Sequence, residues 1–258
     1  MISHKQQLLA WSLSSLSRLT TLRPTSNVSF DATLFSDGRK QACMNTLSRT
    51  SKEYSRVFRN VDTNVTAAVL VPFCLNSSGE PSVLLTLRSR RLSRHGGLIS
   101  FPGGIADDAD RSAADTALRE AQEELGISPS DVDVWGSMHA LPSLGSKILV
   151  TPVVGYVCSS SSPAFINELV VNADEVESVL VPTLKGLCDP AGWEYTQWSH
   201  PGVPGHVSPV FKLDGGDDRV WGLTGRILHL ALGALVPEFY TREYPPKLLK
   251  FNNQNSSS

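Results

Sequence analysis

Glu120, Glu123 and Glu124 fall within five consecutive residues, directly after Arg119 and just before Gly126. Like charges at this spacing repel one another along a helix, so something has to offset them. Hard divalent cations take oxygen ligands, and Mg²⁺ in particular keeps several waters and is completed by substrate phosphates. A cation held there polarises a phosphoryl oxygen and activates water. Two readings therefore fit these carboxylates: a solvated acidic helix face, and a divalent-metal site facing a phosphorylated substrate. Ahead of them lies Phe101-Pro102-Gly103-Gly104, where glycine lets backbone approach a metal or phosphate closely.

The element that must carry the glutamates is delimited by local signals. Ser112 with Asp115 three residues later matches a capped helix start. Gly126 matches the left-handed position past a helix end, and Pro129 follows where a helix cannot continue. The spacing predicts a helix over residues 113–125. At about 100° per residue, Ala113, Ala114, Ala117, Leu118, Ala121 and Leu125 share one arc. The three glutamates share the neighbouring arc, while Asp115 and Gln122 point elsewhere. Small alanines let such a helix pack closely on a sheet.

Around this helix the chain reads as alternating elements. Residues 31–60 carry Leu34, Phe35, Met44, Leu47 and Tyr54, which suit a helix packed outside the catalytic core. Residues 66–75 read as a buried strand, 76–81 as a turn, and 83–87 as the pairing strand of a hairpin. Residues 88–97 form a basic loop that runs into Phe101. Strands are expected over 132–141, 148–157 and 179–181, a flexible break at 159–162, a helical turn at 184–187 and a closing helix at 222–235. Residues 200–209 read as a Pro/Gly-rich loop. No internal repeat is visible.

A chain of 258 residues accommodates one large domain with extensions. Its net charge of −2 gives no bulk attraction to nucleic acid or anionic membrane. No run reaches the length of a membrane-spanning helix. The four cysteines, at 43, 74, 158 and 188, lack metal-ligand spacing; Cys74 and Cys158 read as buried thiols in a reducing compartment. His95 lies in the basic loop, where it suits either phosphate contact or simple exposure. Residues 1–30 contain Lys5, Arg18 and Arg23 and no acidic residue. That composition fits a mitochondrial transit peptide and equally a disordered extension. Residues 246–258 read as a disordered tail whose last residues do not match the Ser-Lys-Leu type of peroxisomal signal.

The run R-E-x-x-E-E-x-G-hydrophobic at residues 119–127, with Gly104 about fifteen residues ahead, resembles the Nudix box of the Nudix hydrolases. The resemblance implies an α/β fold: an α/β/α sandwich with a mixed sheet and a loop-helix-loop metal site. It implies Mg²⁺ or Mn²⁺ as cofactor, and water attack on a diphosphate linked to another moiety. It carries Glu120, Glu123 and Glu124 over as metal ligands and catalytic residues, with Arg119 as their orienting partner. One departure is visible. The interval from Gly104 to Arg119 is one residue longer than usual, so Arg111 occupies the usual acidic position while Asp110 stands beside it.

That longer interval is similar to the coenzyme A diphosphatase branch of the family, where the box begins FPGG-x-x-D-x-x-D. Here Asp107 and Asp110 follow Gly104 at those positions. A second signature of the branch, LLT-x-x-S-x-x-x-R-x-x-x-G-x-x-x-FPGG, is matched by Leu84-Leu85-Thr86, Ser89, Gly97 and Phe101. Ser93 stands where the arginine is expected, with Arg90, Arg91 and Arg94 nearby. The resemblance implies substrate contacts at Arg88, Ser89, Arg94, Gly97, Phe101, Gly103 and Gly104. Weaker similarity continues through Asp174-Glu175-Val176-Glu177 and Val220-Trp221-Gly222-Leu223-Thr224-Gly225-Arg226-Ile227, so that about residues 64–236 are covered. Glu175 is a candidate base or a structural residue. Trp193, Tyr195 and Trp198 suit stacking on an adenine or lining a pantetheine channel, but read first as packing residues. The expected domain boundaries are 1–30 for the leader, 31–60 for a helical extension and 61–245 for the hydrolase domain. The expected reaction is hydrolysis of coenzyme A or acyl-CoA to 3′,5′-ADP and 4′-phosphopantetheine or its acyl form. Hydrolysis of another nucleoside diphosphate derivative, such as ADP-ribose or NADH, and a catalytically weak binding module are the alternatives.

Overall fold

A computed structural model of the chain describes residues 29–55, 65–93, 95–143, 148–158, 163–200, 203–213 and 216–242. Its centre is β1 (Val65–Leu75). This strand runs parallel to β8 (Ile148–Val157), in register from Val65 opposite Ile148 to Phe73 opposite Tyr156. It runs antiparallel to β2 (Pro81–Val83) at one end and to β5 (Gly103–Ile105) at the other. β6 (Val132–Ser137) and β7 (Leu141–Pro142) pair antiparallel with β8, completing a six-stranded mixed sheet. A strand buried on both faces has no polar side to show, and β1 obeys this. Ala68, Leu70 and Cys74 enter one hydrophobic cluster, while Val71 and Phe73 enter another.

Helices cover both faces, which gives the expected α/β/α sandwich. On one side α2 (Ala113–Leu125) lays Ala117, Ala121 and Leu125 on Ala68, Leu70 and Val153. On the other, α1 (Asp37–Ser55) and α4 (Gly222–Leu235) pack Cys43, Leu47, Leu228 and Leu235 with Phe73, Val154 and Trp135. So α1 is built into the main core. Lys40 also pairs with Asp133 of β6 at 2.6 Å, and Arg39 donates to Glu238 at 3.1 Å beyond α4.

Several local expectations are corrected. β2 does pair with β1, but the chain leaves that sheet after Leu84, whose amide makes a last bond to the Pro72 carbonyl at 3.0 Å. β3 (Leu85–Arg88) instead lies between β4 (Ile99–Ser100) and β9 (Val176–Leu180) in a separate three-stranded sheet, so residues 83–87 are not one hairpin strand. The strand expected over 132–141 is divided between β6 and β7. Residues 203–209 are strand rather than loop: β11 (Val203–Lys212) pairs with β10 (Trp193–His200) and, at its far end, with β12 (Arg219–Val220). Cys158 is exposed rather than buried, because it is the first residue past β8. The helical turn is α3 (Leu184–Leu187). The leader, the C-terminal tail, the break at 159–162 and Arg94 lie outside the described residues.

Candidate active site

The glutamates owe their placement to both ends of α2. At its start the Ser112 hydroxyl accepts the Asp115 amide at 3.2 Å, and at its end Gly126 takes φ 71°. With the alanine face pinned to the sheet, Glu120 and Glu124 turn inward beneath the Gly103-Gly104 strand. A Cβ on Gly104 would come within 2.5 Å of the Glu120 carboxylate, so only glycine leaves the carboxylate in place.

Glu120, Glu124 and Glu175 form a three-carboxylate cluster, with one oxygen from each within 4.8 Å of the others. Glu175 arrives from a loop tied to both neighbours. The Asn172 amide donates to the Glu124 carbonyl at 2.9 Å, and the Ser89 amide donates to the Glu175 carbonyl at 2.8 Å. Glu124 is the most enclosed, with a side chain 2 % exposed and an Oε2 that has no hydrogen-bond partner. Burial pushes its carboxyl up to about 8. Glu120 and Glu175 add to the rise, and Arg88 and the Gly103 amide oppose it. Burial likewise raises Glu120, against the pull of Arg119. Ionising a carboxyl buried in this way, with one oxygen lacking a donor, is costly unless a cation completes it. An all-carboxylate donor set of this kind suits a hard divalent ion.

Arg119 organises the approach to this cluster. Its guanidinium forks onto Asp110 at 3.2 and 3.1 Å, and donates to Glu120 at 3.0 Å, to Glu123 at 3.1 Å and to the Ile105 carbonyl at 3.1 Å. These charge-assisted bonds hold Asp110 down at about 2. The extra residue ahead of the helix thus lets Asp110, rather than Arg111, meet Arg119; Arg111 only donates its backbone amide to Asp115.

The predicted site residues separate into groups. Glu120, Glu124 and Arg119 converge. Glu123 does not join the cluster: its side chain is 54 % exposed and is engaged by Arg119. Arg88 reaches within 3.7 Å of Glu124. Gly97 closes the basic loop by donating to the Arg88 carbonyl at 2.9 Å. Ser89 and Phe101 are buried, Ser89 against its own loop and Phe101 in the main core. Gly103 packs its Cα onto β1, with φ 151° and the Ala68 carbonyl 2.3 Å from where a Cβ would stand. The sequence offered Glu175 as a base or structural residue; it gave no signal that Glu175 would share a site with Glu120 and Glu124. Nor did it reveal that Asp110 would anchor Arg119.

The NUDIX domain family model matches residues 64–183 of this chain. Over 223 residues the chain is 33% identical to Nudix hydrolase 3 of Caenorhabditis elegans, covering 80% of this chain and 88% of that protein. Over 202 residues it is 39% identical to the mitochondrial coenzyme A diphosphatase NUDT8 of Mus musculus, covering 78% and 90%. The Homo sapiens protein of the same name is 41% identical over 175 residues, covering 67% and 71%.

Proposed function

The chain belongs to the Nudix hydrolase family, and from that premise we propose that it hydrolyses the diphosphate of coenzyme A or its thioesters. Water cleaves one P–O bond of the diphosphate, giving 3′,5′-ADP and 4′-phosphopantetheine or its acyl form. The observation that carries a hydrolytic site is the buried Glu124 oxygen without a donor, on a carboxylate that clusters with Glu120 and Glu175. The choice of coenzyme A is supported by the FPGG-x-x-D-x-x-D spacing, whose second aspartate meets Arg119, and by the names of the mouse and human relatives.

Glu120, Glu124 and Glu175 would hold Mg²⁺ or Mn²⁺. That ion would supply Lewis-acid polarisation of a phosphoryl oxygen and a more acidic water. Arg119 fixes Glu120 and restrains the helix edge, and Glu123 serves by holding Arg119 rather than as a ligand. Arg88 presents a planar guanidinium beside the cluster, a group suited to two-pronged phosphate contact. Arg90 and Arg91 on the adjoining loop are about four-fifths exposed and would offer positive charge to the outer phosphate of coenzyme A.

Ser93, exposed where the branch has arginine, supports the second reading, a preference for another nucleoside diphosphate such as ADP-ribose. A panel of coenzyme A, short and long acyl-CoAs, ADP-ribose and NADH with Mg²⁺ or Mn²⁺ tests the choice, with products separated by chromatography. The expected products are 3′,5′-ADP and the phosphopantetheine species; their absence from every coenzyme A reaction, with ADP-ribose turned over, assigns the enzyme to the second reading. The acid-free, basic leader and the mitochondrial relatives support import into mitochondria. A reporter fused to residues 1–30 should enter mitochondria; a cytosolic reporter would refute this. Among the described residues no helix is long and apolar enough to cross a membrane.

A further inference from the structure

We propose that Asn172 is the positioning residue that aims Glu175 into the acidic cluster, an inference that rests on the cation-site reading of Glu120, Glu124 and Glu175. Asn172 is a junction of five hydrogen bonds. Its backbone amide donates to the Glu124 carbonyl at 2.9 Å, while the amide of Val170 donates to the Leu125 carbonyl at 3.1 Å. The loop thereby satisfies two of the carbonyls that a helix end leaves without partners. The Asn172 carbonyl accepts the amides of Glu175 at 3.1 Å and Val176 at 2.9 Å. The same residue therefore locks the loop to α2 and sets the turn from which Glu175 projects.

The side chain adds the specific element. Asn172 Oδ1 accepts the Asp174 amide at 3.2 Å. That bond requires an acceptor and so determines which way the carboxamide faces. Its Nδ2 then donates to Glu175 Oε1 at 3.3 Å. Glu175 is repelled by Glu120 and Glu124, the other carboxylates of the cluster, and needs a partner to stay among them. A neutral amide holds it without bringing a positive charge that would compete with a divalent ion. Partners that orient a ligand in this way commonly affect metal affinity or activity by about 10–100-fold.

Asn172→Ser separates positioning from loop folding. Serine keeps every backbone bond and a hydroxyl that can accept the Asp174 amide, but it is too short to reach Glu175. The full-length protein is titrated with Mn²⁺ by electron paramagnetic resonance or calorimetry, and kcat and KM are measured for coenzyme A. Asn172→Ser should weaken Mn²⁺ binding and lower kcat, each about tenfold or more, with KM little changed and the melting temperature within a few degrees. Glu175→Gln should show a comparable loss, and the double variant no further loss. Unchanged Mn²⁺ affinity and kcat in Asn172→Ser, or an equal loss in the Glu175→Gln background, would overturn the proposal. Glu124→Gln in the same titration separates this from failure of the cation site itself. If Glu124→Gln abolishes Mn²⁺ binding while Asn172→Ser does not alter it, only the role of Asn172 falls. If Glu124→Gln binds Mn²⁺ like the wild type, both fall.

Discussion

Two adjacent glycines facing the same helix do different work, and alanine should expose the difference. At Gly104 the atoms a Cβ would strike belong to the far end of Glu120, which can swing away. Gly104→Ala should therefore fold with nearly wild-type stability and lose cation binding and turnover, about 10-fold or more. At Gly103 the Cβ would strike the β1 backbone from a left-handed conformation. Gly103→Ala should instead lower the urea midpoint sharply. Equal effects of the two on stability would contradict this division. Glu124 has a distinct pH signature in the cation-free protein. Burial raises its folded value from 4.5 to about 8, so the neutral carboxyl is favoured in the fold. Its contribution to stability is fully present below about pH 4.5 and lost as pH rises through about 8. Melting temperature measured without cation should fall across that window in the wild type and fall less in Glu124→Gln. Adding Mg²⁺ or Mn²⁺ at pH 8 should restore the wild type alone.

At the level of elements, α2 stands on short-range signals and the rest of the site does not. Ser112, Asp115, the alanine arc and Gly126 all act within the helix, so the helix and two of its cluster glutamates were legible from sequence. Glu175 stands about fifty residues away in sequence, and only the loop's bonds to the Glu124 and Leu125 carbonyls bring it in. The hairpin reading failed at Leu84 because β2 and β3 are nearly continuous in sequence, yet they pair in different sheets. The reading of 200–209 as a loop failed for a related reason. Pro209 lies in β11 opposite Tyr195, but β12 pairs only with Phe211 and Lys212. On its second side that part of β11 is an edge, where proline is tolerated. Leu125 is fully buried at the end of α2. Leu125→Ala should cost about 2–5 kcal/mol in urea unfolding and loosen the glutamates with it.

For the molecule as a whole, α1 is a wall of the core and not an appendage. Leu34, Cys43 and Leu47 share a cluster with Phe73, Trp135 and Leu235, and Arg39 and Lys40 pin the helix to Glu238 and Asp133. A chain beginning at residue 61 would expose that face of the sheet and should be insoluble or unfolded by circular dichroism. A soluble, active fragment would show that α1 is dispensable. The sandwich, its edge glutamates and the two-sided burial of β1 together present an acidic cluster beside a basic loop, where the diphosphate of coenzyme A would be cleaved. The most direct test is kcat/KM for coenzyme A and for ADP-ribose, measured side by side with Mg²⁺ or Mn²⁺ on the wild type and on Glu124→Gln. Coenzyme A or an acyl-CoA should be the preferred substrate, and Glu124→Gln should abolish its turnover. Faster hydrolysis of ADP-ribose than of any coenzyme A species would assign the chain a different substrate, and undiminished turnover in Glu124→Gln would remove Glu124 from the active site.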